Sequence, residues 1–118
     1  MLLIILLILL DQITKFLFAT TINYGAAFNI LQGYTTLLIL ISLVVLSVAL
    51  YYYFKEKNKN LKLGLSFLIA GIIGNLIDRI ILGYVRDFID FNIFPVFNIA
   101  DTFNFIGVVI IIYLSSKK

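Results

Sequence analysis

Long apolar stretches alternate with short polar ones along the chain. The first, residues 2–19, is interrupted by Asp11 and Lys15 in its second half. Residues 34–54 carry no charge at all, the cleanest transmembrane signal in the sequence. Residues 63–82 form a third stretch, with Asp78 and Arg79 about one turn from its end, and residues 99–115 a fourth and shortest, opening near Asp101. A helix needs roughly 20 residues to cross hydrocarbon. The pattern therefore predicts an all-α membrane protein with four transmembrane helices, at about 2–19, 34–54, 63–82 and 99–115. No repeat, low-complexity tract or linker marks a second domain, so residues 1–118 are expected to form a single integral membrane domain. The first stretch has no basic residue ahead of it and no clear small-x-small site after it, which predicts a retained helix rather than a cleaved leader.

Composition sharpens this picture. Hydrophobic residues make up 63% of the chain and charged ones 13%, with a mean hydropathy of +1.13, which excludes an ordinary soluble domain. The absence of cysteine and histidine excludes thiol nucleophiles, disulfides, histidine proton relays and the usual zinc, copper or haem ligand sets. No metal or cofactor is expected, and any chemistry falls to Asp, Lys, Arg, Ser, Thr, Tyr or Asn. The net charge of +3 has a topological origin. Lys55, Lys57, Lys59 and Lys62 lie between the second and third stretches, and Lys117 and Lys118 at the end of the chain. With four spans these two groups share one side, which the positive-inside rule makes cytoplasmic. Both termini are then inside, and no nucleic-acid partner is needed to explain the charge.

Apart from Glu56, every other charged residue then falls in one outer layer: Asp11, Lys15, Asp78, Arg79, Asp101, and Arg86, Asp87 and Asp90 in the segment before the fourth helix. Such groups are costly near hydrocarbon unless paired or used. Asp11 and Lys15, at i and i+4, can pair on their own helix. Asn75, Asp78 and Arg79 share a helix face and can tie the third span to the outer loop. Asn98 can cap the fourth helix while Asp101 meets the positive end of its dipole. Asp87 lies on a short extended extracytoplasmic segment, where alternation groups it with Val85 and Ile89. It has no such structural explanation. Two aspartates above a dry bundle can share one proton, the ionised member activating water while the neutral one polarises a peptide carbonyl. Structural ion pairs also collect at interfaces, and both interpretations stand on spacing alone.

Five segments resemble, in order, the signature blocks of signal peptidase II, the lipoprotein signal peptidase of bacteria. They are Asp11-Gln12-Ile13-Thr14-Lys15, Asn23-Tyr24-Gly25-Ala26-Ala27-Phe28, Gly74-Asn75-Leu76-Ile77-Asp78-Arg79, Val85-Arg86-Asp87-Phe88 and Phe97-Asn98-Ile99-Ala100-Asp101. The resemblance implies an aspartyl intramembrane endopeptidase of the bacterial cytoplasmic membrane that removes signal peptides from prolipoproteins. It further implies cleavage before a diacylglyceryl-modified cysteine, inhibition by the cyclic peptide globomycin, and action as a monomer among membrane lipids. The family's catalytic pair maps onto Asp87 and Asp101, and its supporting residues onto Asp11, Lys15, Asn23, Asn75, Asp78, Arg79 and Asn98. Asp90 falls outside the pattern and is expected to be solvated or structural. Placed at a helix N-terminus, Asp101 is the expected anion and Asp87 the proton holder.

Departures from the family lie outside the catalytic pair. Eleven residues separate Asp11 from Asn23 and thirteen separate Asp87 from Asp101, which predicts a reduced substrate-cradling sheet and lid. Arg86 stands where an apolar residue is common. Two rivals carry different tests. A prolipoprotein-binding accessory subunit would bind without forming product, and a proton or ion carrier would need polar groups in both leaflets, where the inner halves offer only Ser42, Ser47 and Ser66.

Overall fold

In the computed structural model, residues 1–26 and 30–117 are described. Ala27 and Phe28 of the second signature block, and Lys118 of the terminal lysine pair, lie outside them. The elements run α1 (Leu2–Phe18), β1 (Thr21–Asn23), α2 (Thr35–Lys55), α3 (Lys59–Leu82), β2 (Val85–Asp87) and α4 (Ile99–Ser116).

The helices coincide with the apolar stretches to within one residue, except that α3 begins at Lys59 rather than 63. The cause is local. The Asn58 side chain accepts the backbone N–H groups of Asn60 and Leu61 at 3.0 and 3.1 Å, starting the helix ahead of its apolar run. Lys59 and Lys62 thus ride on the first turn of α3 instead of in a loop. At the other end Gly83 adopts φ +81°, and its N–H closes on Arg79 O at 3.1 Å, a left-handed stop.

Among the described residues α2, α3 and α4 are long and apolar enough to cross a membrane. With 17 residues, α1 rises about 25 Å, short of the roughly 30 Å hydrocarbon core. Where four spans are expected, four helices form, and three of them reach spanning length. Helix α3 is central and packs against α1, α2 and α4. The core draws Ile4 and Leu7 from α1, Ala49 and Tyr53 from α2, Leu65, Ile69 and Ala70 from α3, and Phe103 from α4. Outward faces are apolar as well, with Phe16, Ile81 and Phe105 largely exposed, as lipid contact requires.

Antiparallel α3 and α4 put the lysines at one end. There Lys55 lies over Tyr51, Lys62 over Tyr53 and Lys117 over Tyr113, while the Met1 ammonium donates to the Tyr53 hydroxyl at 2.7 Å. At the opposite end β1 and β2 pair antiparallel, Thr21 with Asp87, Ile22 with Arg86 and Asn23 with Val85. Val85 and Asp87 turn inward while Arg86 is only half-buried, as the alternation predicts. Beyond β2, Ile89 bridges Phe97 and closes residues 88–97 into a hairpin that returns the chain beside Asp87. The next residue is Asn98.

Candidate active site

Asn98 organises the site. It is fully buried, and its side-chain Oδ1 accepts the Asp101 N–H at 2.9 Å while the Asp101 carboxylate accepts the Asn98 N–H at 3.1 Å. This reciprocal cap explains why α4 starts where it does. The Asn98 amide nitrogen faces Asp87 Oδ1 at 2.8 Å, Asn75 Oδ1 at 3.0 Å and Arg86 O at 3.2 Å. Two hydrogens serve three acceptors, with the carboxylate at the shortest distance. Asn75 in turn donates to Asp101 Oδ1 at 2.9 Å. One pair of asparagines therefore grips both aspartates.

Asp87 is 1% exposed. Burial, and next the negative charge of Asp101, push its pKa up to about 7, against the pull of the Asn98 and Asn23 amides. An aspartate held there keeps its proton up to about neutral pH while a partner can stay ionised, the division of labour that general acid–base chemistry uses.

Beneath this pair lies a second charge cluster. Lys15 is fully buried and meets Asp11 at 2.8 Å, Asp78 at 3.4 Å, Gly74 O at 3.2 Å and Asn75 Oδ1 at 3.2 Å. The expected Asp11–Lys15 pair exists, and beyond its own helix it joins α1 to α3 inside the bundle. Asp11 also accepts the Ala100 N–H at 2.9 Å, joining α1 to the start of α4. Gly74 makes the seat, since a Cβ there would collide with the Asp11 carboxylate.

Asp78 and Arg79 tie α3 to β2 and to the turn after β1. Asp78 accepts the Arg86 backbone N–H at 3.0 Å and its guanidinium at 2.9 and 3.2 Å, while Arg79 donates to Gly25 O at 3.3 Å. Arg86 also donates to Gln12 Oε1 at 2.8 Å. Its hydrogen bonds to Asp78 raise the already high pKa of the guanidinium, so the charge is permanent. Asn23 bonds the turn after β1, accepting the Gly25 N–H at 2.8 Å and donating to Ala26 O at 3.2 Å. All nine residues singled out from the sequence thus converge. Asp90 does not join them, and accepts the Asn92 N–H at 2.9 Å in an exposed turn.

A cavity of about 710 Å³ opens beside the pair, its wall including Asn23, Phe94, Phe97, Asp101, Asn104 and Phe105. Such a space, apolar with a few polar groups at one end, suits a hydrophobic chain presented to acid–base chemistry.

Comparison with known proteins gives this arrangement its family. Residues 3–117 match the family described as signal peptidase (SPase) II. The chain belongs to the signal peptidase II family. Lipoprotein signal peptidases of Staphylococcus aureus strains JH9 and N315 are each 39% identical to it over 130 aligned residues, covering 89% of this chain and 80% of the relative. Two solved bacterial membrane enzyme structures superpose with TM-scores of 0.91 and 0.84 at 35% and 34% identity, over 98% and 96% of this chain and 86% and 89% of theirs. Membership makes the chain a membrane-embedded peptidase.

Sequence reasoning missed Gln12, Arg86 and Asn104 as site residues. Gln12 and Arg86 were visible as polar residues within the matching blocks, but their partners are on other elements. Asn104 lies three residues past Asp101, and a polar residue on the same face of an apolar helix was the available signal.

Proposed function

We propose that the chain is an aspartyl endopeptidase that removes signal peptides from diacylglyceryl-modified bacterial prolipoproteins at the outer face of the cytoplasmic membrane. It works as a monomer without a cofactor, and a globomycin-like peptide would compete for the site. The observation that carries this proposal is the joint hold of Asn98 on Asp87 and Asp101 beside an apolar cavity. The Staphylococcus relatives are lipoprotein signal peptidases, which supports the substrate class. In this reading four helices cross the membrane, α1 accommodated by local thinning, and the positive-inside rule favours the lysine end in the cytoplasm and the aspartates outside.

The chemistry follows from the two environments. Asp101, an anion at a helix N-terminus, takes a proton from water as the oxygen attacks the scissile carbonyl carbon. Asp87 delivers its proton to the carbonyl oxygen, giving a neutral tetrahedral diol. Asp87 then recovers a proton from that diol while Asp101 passes its own to the leaving nitrogen, and the C–N bond breaks. The products are a carboxylic acid on the signal peptide and an amine on the lipidated cysteine, with both aspartates back in their starting states. Because Asp87 is 1% exposed in the free chain, substrate entry has to uncover it.

Purified protein in detergent, given a diacylglyceryl-modified prolipoprotein, is expected to release two products whose masses place the cut just before the lipidated cysteine. Binding without product would favour the accessory-subunit alternative, and proton flux in sealed vesicles without product would favour a carrier.

A further inference from the structure

One carboxamide near the site is unused. Asn23, Asn75 and Asn98 spend their side chains on hydrogen bonds, whereas Asn104 Oδ1 is the one buried side-chain oxygen or nitrogen without a partner among the described residues. The oxygen is sealed against α3, where a Cβ at Gly71 would collide with it. Asn104 also lines the cavity, so the end of the carboxamide free to turn that way is the Nδ2 donor. An orphaned polar group on an apolar helix calls for an explanation, since leucine would fill the same space without one.

Resting on the peptidase reading above, we propose that Asn104 is a substrate-binding residue. Its Nδ2 donates to a backbone carbonyl of the signal peptide, one or two residues before the cut. A membrane-embedded signal peptide arrives as a helix, and its scissile bond becomes accessible only when the last turn unwinds. Unwinding frees carbonyl groups in a space with few donors, at a depth where water is scarce. Asn104 stands three residues beyond Asp101 on α4, about 4.5 Å along the helix away from the polar end. An extended chain advances about 3.3 Å per residue, which sets the one-to-two-residue offset. Helix α4 thus offers the catalytic carboxylate and, one turn deeper, a donor that holds the unwound strand in register.

The test pairs wild type and Asn104→Leu with lipidated peptide substrates in which single backbone amides before the cut are replaced by esters, whose carbonyls are weaker acceptors. Wild type is expected to lose about tenfold in kcat/KM at one ester position, one or two residues before the cut. Asn104→Leu is expected to lose about tenfold on the all-amide substrate, chiefly through KM, and nothing further at that position. Its Tm is expected to match or exceed that of wild type, because the orphaned oxygen is gone. Activity within twofold of wild type in Asn104→Leu, or an ester profile unchanged by the substitution, would overturn the inference. So would a fall in Tm that accounts for the lost activity, the mark of a residue that merely joins helices. Absence of product from wild type itself would remove the peptidase reading, and this inference with it.

Discussion

At the residue scale the chain separates two kinds of buried charge. Lys15 neutralises a structural cluster of Asp11 and Asp78, whereas Asp87 is held by the Asn98 amide and has no ion pair among the described residues. Lys15→Met would leave two carboxylates buried without their shared cation, a loss on the order of 3–5 kcal/mol that thermal unfolding in detergent would register. Asp87 predicts the opposite. Its folded pKa of about 7 lies above the unfolded value of about 3.9, so its contribution to stability is complete below about pH 4 and lost as pH rises through 7. Asp87→Asn cannot ionise, so its unfolding free energy should gain on wild type as pH rises from about 4 through 7, reaching on the order of 4 kcal/mol by about pH 8. A gap that stays constant with pH would show that burial does not hold the proton there. The identities of these residues were legible as charges in apolar stretches. The reach of Lys15 to Asp78 was not, because spacing along one helix reveals only partners on that helix.

At the scale of elements, α1 to α4 were legible because lipid demands continuous apolar runs, and α3 was misjudged at its start because a three-residue cap outweighs hydropathy there. Alternation showed the inward face of β2, but the partner and register of its pairing were not legible, since Thr21–Asn23 is too short to carry a periodic signal. Arg86, unusual in its block, is what fastens β2: one residue commits its backbone N–H and its guanidinium to Asp78 and reaches Gln12 on α1. Arg86→Gln should therefore let the strand carrying Asp87 drift. It is expected to lower kcat about tenfold with little change in KM, and Arg86→Lys to recover part of it, since a point charge replaces the fork imperfectly. Steady-state kinetics of the three proteins would check this, and an unchanged kcat in Arg86→Gln would make the strap irrelevant to catalysis.

For the whole molecule, the long dimension of 39 Å fits a bilayer with one end in each interface. The lysine–tyrosine pairs mark one end and the aspartates the other, a polarity the sequence carried in its charge distribution alone. The chain has no cysteine, so a single introduced one is an unambiguous reporter. In intact cells Ile93→Cys should react with a membrane-impermeant maleimide, and Lys57→Cys only after lysis; the reverse would invert the proposed topology. The most direct test of the account is the pH dependence of kcat/KM for cleavage of a diacylglyceryl-modified prolipoprotein by wild type, Asp87→Asn, Asp101→Asn and Asp90→Asn. Wild-type and Asp90→Asn rates should coincide and fall as pH rises through about 7, where Asp87 loses its proton, while Asp87→Asn and Asp101→Asn lose at least about a thousandfold. Retention of a tenth of the wild-type rate by either dyad variant would contradict the paired-aspartate mechanism.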